Sequence, residues 1–225
     1  MSLKVYENLE QGSDEWLEAR RGILTASTVG KLITARTVRP ASNDYSRALT
    51  MQLVTERISG FVEPVYVTAD MQRGQDDEPI ARDLYSEKYA PVTECGFMVR
   101  TENDWTLGYS PDGLISDNGL LEIKSRKPRH QVATILSDQV PPYHMAQVQA
   151  GLLVTGREWL DYCSYSGGLP MWTKRVYPDP KWHAAIIEAA QEFERTAADM
   201  TDKYTAATIG LPATERRPDY TEIVI

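Results

Sequence analysis

The sequence of 225 residues holds only two cysteines, Cys95 and Cys163, and three scattered histidines, His130, His144 and His183. Neither residue type has metal-ligand spacing, so a zinc-stapled or disulfide-dense scaffold is excluded. The expectation is two reduced thiols buried as small hydrophobes in a cytoplasmic protein. No apolar run approaches bilayer-spanning length, and Met1-Ser2-Leu3-Lys4-Val5-Tyr6-Glu7 lacks the apolar core of an export signal. No repeat or low-complexity segment interrupts the chain. Hydrophobic residues make up 42% and charged residues 25%, an ordinary globular balance. One substantial core, and a single domain over 1–225, is the economical reading.

Positive charge is also scarce. Lys and Arg number 24 against 32 Asp and Glu, a net charge of −8, which argues against nonspecific polyanion binding. The distribution is more telling. Ala19 to Asn43 carries Arg20, Arg21, Lys31, Arg36 and Arg39 without an acid. Ile123 to Ser137 carries Lys124, Arg126, Lys127 and Arg129, again without one. Setting these nine aside leaves 15 of the 24 basic residues against all 32 acidic ones. The chain is thus acidic with two basic islands, and phosphates meet local surface rather than overall charge.

Ser13, followed by Asp14 and Glu15, predicts a short helix over 13–21. A second helix is expected between Thr25 and Ile33, capped by Ser27, then a loop over 36–43 around Pro40. Helical spacing covers 44–59, with Gly60 as its stop. Thr68 to Tyr89 reads as helix with a break or kink at Pro79. Strands are expected at 92–100, 104–110, 112–116, 119–125, 159–166 and 171–177. Helices are expected at 142–155 and from Pro180 to Lys203. The tail after Ala206, with Pro212 and Pro218, reads as loosely ordered. This order predicts an α/β or α+β fold with one central, mostly mixed sheet flanked by helices.

The chemistry concentrates at Ser110-Pro111-Asp112-Gly113 and Gly119-Leu120-Leu121-Glu122-Ile123-Lys124. On a strand, Leu120, Glu122 and Lys124 share one face and Leu121 and Ile123 the other. Asp117-Asn118-Gly119 is a hairpin signal that folds Asp112 back towards Glu122. Two carboxylates and an ammonium in one cleft suit a divalent cation that activates water against a phosphodiester. Asp112 would bridge two cations, Glu122 would ligate one, and the Ile123 carbonyl would add an oxygen. Lys124 would hold the attacking water. Hard oxygen ligands favour Mg²⁺ or Mn²⁺. A third carboxylate is wanted, and Glu78 in Gly74-Gln75-Asp76-Asp77-Glu78 is chosen. The competing reading of each is ordinary: a wet hairpin face, and a solvated acidic helix.

The chain resembles the phage lambda exonuclease-like viral recombinase nucleases of the PD-(D/E)xK superfamily. The matching strings are Trp16-x-x-x-Arg20-x-Gly22-Ile23-Leu24-Thr25-Ala26-Ser27, Gly74-x-x-x-Glu78, Ser110-Pro111-Asp112-Gly113-Leu114, Gly119-Leu120-Leu121-Glu122-Ile123-Lys124 and Met145-Ala146-Gln147-Val148-Gln149. The resemblance implies an α/β, restriction-endonuclease-like core, with Asp112, Glu122, Lys124, Glu78 and Gln147 on catalytic positions. It implies metal ligands Asp112, Glu122, Ile123 and Glu78 for two Mg²⁺ ions per site, and Arg20, Ser27 and Ser110 on the 5′-terminal phosphate. The implied activity is 5′→3′ digestion of linear duplex DNA, leaving 3′ overhangs for recombination by strand annealing. A homotrimeric ring, a single-strand annealing partner and a phage or prophage gene in a bacterial cytoplasm follow from the same source.

Without that resemblance, Arg20 reads as a helix-surface arginine and Ser27 as a cap. A helix sets Gln147 and Gln149 about 200° apart, so only one faces the cleft. Trp16 and Tyr109 read better as core than as stacking platforms. Arg36 and Arg39, in a loop that departs from the family, and Arg126, Lys127 and Arg129 are candidates for the DNA backbone. Two rival functions share the sequence: an endonuclease on the same core, and a non-catalytic DNA-binding scaffold. An end-phosphate pocket has no use in the first, and an intact Asp112, Glu122 and Lys124 set has none in the second.

Overall fold

The computed structural model describes residues 2–64 and 66–216. The strands are β1 (Ser2–Tyr6), β2 (Ile33–Thr34), β3 (Arg39–Pro40), β4 (Val92–Thr93), β5 (Phe97–Glu102), β6 (Trp105–Tyr109), β7 (Gly113–Ile115), β8 (Gly119–Ser125), β9 (Trp159–Tyr165) and β10 (Trp172–Val176). The α-helices are α1 (Asp14–Arg20), α2 (Ala26–Val29), α3 (Asp44–Ser59), α4 (Ala69–Lys88), α5 (Pro128–Ser137), α6 (Met145–Thr155) and α7 (Pro180–Ala207). Single 3₁₀ turns follow α2 and precede α6.

The central sheet is mixed and has five strands in the order β10-β9-β8-β7-β4. Only β8 and β9 run parallel, with Glu122 opposite Tyr162 and Lys124 opposite Ser164. The α/β class with a central mixed sheet flanked by helices is as expected. A second sheet, β1-β5-β6, is antiparallel and was not anticipated. The expected strand 92–100 is two strands in different sheets. Gly96 divides them, because its N–H donates to Glu7 O at 3.1 Å and a Cβ there would lie 2.3 Å from Leu9 O.

β8 lies between two cores. Leu120 belongs to the larger, with Tyr109, Val148, Leu160 and Ile186. Leu121 and Ile123 belong to the smaller, with Ala81, Tyr85, Ile115 and Cys163. The alternation read from the sequence holds, but both faces are covered, not one. Burial of Ala81 and Tyr85 under α4 keeps that helix continuous through Pro79, so the break that was one of the two expectations there does not occur; an interior proline costs about 3 kcal/mol, and packing offsets it.

Local signals explain most helix ends. Ser13 Oγ accepts from Trp16 N at 3.2 Å and starts α1. Asn43 and Ser46 bond reciprocally at the start of α3, and Gly60, at φ 64°, ends it. α2 departs from expectation. Its cap is Thr25, whose N–H donates to Thr28 Oγ1 at 3.2 Å, and Ser27 lies inside the first turn. Freed from capping, Ser27 turns its hydroxyl elsewhere. Helix α5 follows β8 and was not foreseen. Helix α7 runs to Ala207, four residues beyond the expected end. The rest of the tail from 217 lies outside the described residues. Both cysteines are free and buried.

Candidate active site

The hairpin β7–β8 pairs Gly113 with Leu121, which sets Asp112 beside Glu122 one step further on. The turn forms where expected but for a different reason. Ser116 takes the left-handed conformation, at φ 48°, whereas Gly119 is required because a Cβ would lie 2.2 Å from the Trp159 ring. Asp112 Oδ2 accepts from Ile123 N at 2.5 Å. In a strand the N–H and C=O of one residue open to the same edge, so the Ile123 carbonyl faces this side as well.

Glu122 is 0% exposed, a more enclosed position than the cleft wall expected of it. Its two oxygens have separate partners. Tyr109 Oη donates to Oε2 at 3.0 Å. Gln147 Nε2 donates to Oε1 at 2.5 Å, and the Lys124 ammonium lies 2.7 Å from the same oxygen. Gln149 points away, donating to Tyr177 O and accepting from Asp179 N, both at 2.9 Å. Of the three consecutive acids Asp76, Asp77 and Glu78 on α4, Asp76 accepts from Gln72 and Asp77 from Ser125, while Glu78 faces Glu122 and Lys124. Glu78 is bonded by Arg82, whose guanidinium also reaches Glu94 at 3.0 Å and the Asp112 carbonyl at 2.8 Å.

The electrostatics follow from crowding. Burial, then the charges of Glu122 and Glu78, hold the Asp112 carboxyl well above the usual carboxylate range. Burial also raises Glu78, against the pull of Arg82. Burial works to lower Lys124, but Glu122 and Asp112 outweigh it, so its ammonium is held more firmly than in water. Three carboxylates face two cations, Lys124 and Arg82, which leaves a local excess of negative charge. Among the described residues no group of three His, Cys, Asp or Glu side chains is placed to hold a metal ion as it stands. The crowded hard oxygens of Asp112, Glu122, Glu78 and Ile123 nevertheless fit Mg²⁺ or Mn²⁺, because a divalent cation would relieve the repulsion that raises Asp112.

A second cluster lies at α1. Arg20 stacks on Trp16, with its guanidinium carbon 3.8 Å from the ring centroid. Its Nη2 reaches Thr25 Oγ1 at 3.4 Å and Ser27 Oγ at 3.5 Å. Trp16 Nε1 donates to Ser110 Oγ at 3.0 Å. Arg20, Ser27 and Ser110 are therefore assembled around one indole. Burial lowers the Arg20 pKa to about 10, against the raising influence of Glu56, and the group stays cationic at neutral pH. Among the described residues no carboxylate pairs with it. A half-buried cation that lacks a carboxylate partner is suited to an anion.

The other basic candidates stand apart from both clusters. Arg36 and Arg39 are exposed. Arg126 donates to Tyr143 Oη at 2.6 Å, Lys127 pairs with Asp70 at 2.9 Å, and Arg129 Nε bonds His130 Nε2 at 3.3 Å. Sequence reasoning missed Arg82 and the polar roles of Tyr109 and Trp16. Arg82 stands four residues after Glu78, which looks like an ordinary helix ion pair.

This architecture is that of an exonuclease. An alkaline exonuclease from Laribacter hongkongensis, LHK-Exo, superposes with a TM-score of 0.79 at 29% identity, over 89% of this chain and all of that one. The same enzyme in complex with dAMP matches equally well. A phage-related exonuclease from Haemophilus somnus 129PT shares the fold, with a TM-score of 0.57 at 11% identity, over 83% of this chain and 96% of its own. No curated protein matches the chain. The chain belongs to the YqaJ-like viral recombinase domain family, which matches residues 15–158. It is thus a nuclease of the recombination type, and the matched span includes every residue of both clusters.

Proposed function

We propose that the protein is a metal-dependent 5′→3′ exonuclease that digests one strand of linear duplex DNA and leaves 3′ overhangs for recombination by strand annealing. The observation that carries this reading is the unpaired Arg20 guanidinium, joined through Trp16 to Ser110, two residues before Asp112. A terminal phosphate carries more charge than an internal diester, so this cation favours a strand end. Ser27 and Ser110 supply hydroxyls to the remaining oxygens. End capture beside the catalytic strand sets a fixed step.

Asp112, Glu122, Glu78 and the Ile123 carbonyl would hold the divalent cations, two per site. When bound, these supply Lewis acidity and lower the pKa of water. Tyr109 and Gln147 each fix one Glu122 oxygen. Lys124 stays protonated at neutral pH, and so orients water and stabilises negative charge that develops on the phosphoryl oxygens. Arg36, Arg39, Arg126 and Arg129 offer backbone contacts to the duplex. Lys127 offers less, because Asp70 already offsets its charge. A homotrimeric ring, a single-strand annealing partner and a bacterial cytoplasm complete the proposal.

A linear duplex labelled at one end, with and without a 5′ phosphate, tests it in the presence of Mg²⁺. Label at a 5′ end should be released first, and faster from phosphorylated ends. Internal cutting, or loss starting from 3′ ends, refutes the reading.

A further inference from the structure

Arg82 is only 15% exposed, yet it does not have a single partner. Its Nη2 bonds Glu78, its Nη1 lies 3.0 Å from Glu94, and its Nε donates to the Asp112 carbonyl at 2.8 Å. Glu78 and Glu94 differ in kind. Glu78 faces the catalytic carboxylates, and Glu94 is 76% exposed with no part in that site. All three groups line a cavity of about 410 Å³ beside Asp112. The other charged residues of that cavity, Glu7 and Glu10, are both acidic, so it draws cations and repels anions.

From this arrangement we infer that Arg82 is an internal counter-ion. It holds Glu78 while the site lacks a divalent cation and keeps Glu94 when Glu78 turns to one. The inference rests on Glu78 as a metal ligand. The bond to Glu94 is already made, so release of Glu78 leaves the guanidinium paired rather than buried and alone, which would be costly. The Nε bond to Asp112 O persists in both arrangements and keeps the Pro111-Asp112-Gly113 backbone in place. Arg82 is thus a positioning residue that sets how readily the site accepts a cation. Glu94 is the partner that makes the exchange inexpensive.

The test is the affinity of the DNA-free full chain for Mn²⁺, by calorimetry or by electron paramagnetic resonance of free Mn²⁺. It uses the native protein, E94Q, R82Q and the double variant. E94Q should weaken Mn²⁺ binding about two- to fivefold, the scale of a partly exposed ion pair. R82Q should tighten it by removing the competitor. In the R82Q background, E94Q should have no further effect, because Glu94 acts only through Arg82. Equal effects of E94Q in both backgrounds would mean action through space and overturn the inference. So would an unchanged affinity in E94Q itself. Where R82Q does not fold, R82K takes its place in the cycle, with a diminished E94Q effect expected and an undiminished one overturning the idea. E78Q separates the two levels. If it leaves Mn²⁺ affinity unaltered, Glu78 is not a ligand and both readings fall. If E78Q weakens binding while the cycle is additive, only the Arg82 exchange is wrong.

Discussion

The indole nitrogen of Trp16 donates to the hydroxyl of Ser110 at 3.0 Å, and so bolts the first helix to the strand end that carries Asp112. The same indole is the floor under Arg20. One side chain thereby sets the Arg20 cluster and the strand end that carries Asp112 at a fixed separation.

The sharpest expectation concerns Arg20. A charge-assisted contact to phosphate is worth roughly 1.5–3 kcal/mol, or about ten- to a hundredfold in rate. Arg20→Ala should slow digestion of 5′-phosphorylated duplex by that factor and affect 5′-hydroxyl ends much less. Arg20→Lys should recover only part, since it restores charge without the fork. The ratio of initial rates on the two ends is the measurement, and an unchanged ratio would return Arg20 to an ordinary helix surface.

Asp112→Ala, Glu122→Gln and Lys124→Ala should each lower hydrolysis by about a hundredfold or more, as losses of charge-stabilising groups do. Binding to duplex ends should persist, because none of the three holds the duplex. Gel shift beside digestion assays separates the two effects. Near-native digestion by Glu122→Gln would remove the centre from its assigned place.

Histidine 144 supplies a pH dependence. Its Nδ1 bonds Tyr162 Oη at 2.6 Å, and burial, then Lys124 and Arg126, lower its pKa from 6.5 to about 3. A histidine with a depressed folded pKa favours folding above pH 6.5, and that contribution is lost as pH falls through about 3. Native stability should therefore decline between these values more steeply than that of His144→Gln. Urea midpoints at a series of pH values report the difference in slope, and parallel curves would deny His144 this role.

Gly119→Ala should destabilise the chain by about 1–3 kcal/mol, the usual cost of overpacking. The added methyl meets the Trp159 ring, so Trp159→Leu in the same chain should restore part of the loss. Thermal or urea unfolding of the single and double variants decides whether the ring is the obstacle.

Assembly is checked by light scattering at micromolar concentration. A trimeric mass is expected, and a ring would let an acidic chain stay on DNA with only local basic contacts. A monomer that persists with DNA bound would require another source of attachment.

Strand β8 was legible to the residue, because a hairpin signal and alternating chemistry mark both its ends. The pairing of Asp112 with Glu122 followed from a turn signal and simple periodicity. Periodicity let only one of Gln147 and Gln149 face the site, and the choice of Gln147 came from the family resemblance. Helix α5 was not legible, since the residues it buries are Gln131 and Thr134, and apolar periodicity is the signal a reader follows. Strand β1 escaped for the opposite reason. Its residues are mostly exposed, and its existence depends on pairing with β5, far along the chain. Arg82 and Tyr109 were hidden because their partners become visible only when α4, β6 and β8 meet.

Most enzymes hang their reactive groups on loops that open before the rest of the molecule does. Here Glu122 and Lys124 belong to a strand wedged between two apolar layers, with Leu120 in one and Leu121 and Ile123 in the other. No local fluctuation frees that strand without parting both layers. Catalytic competence and the folded state should then vanish together, and mutations deep in either layer will present as failures of chemistry.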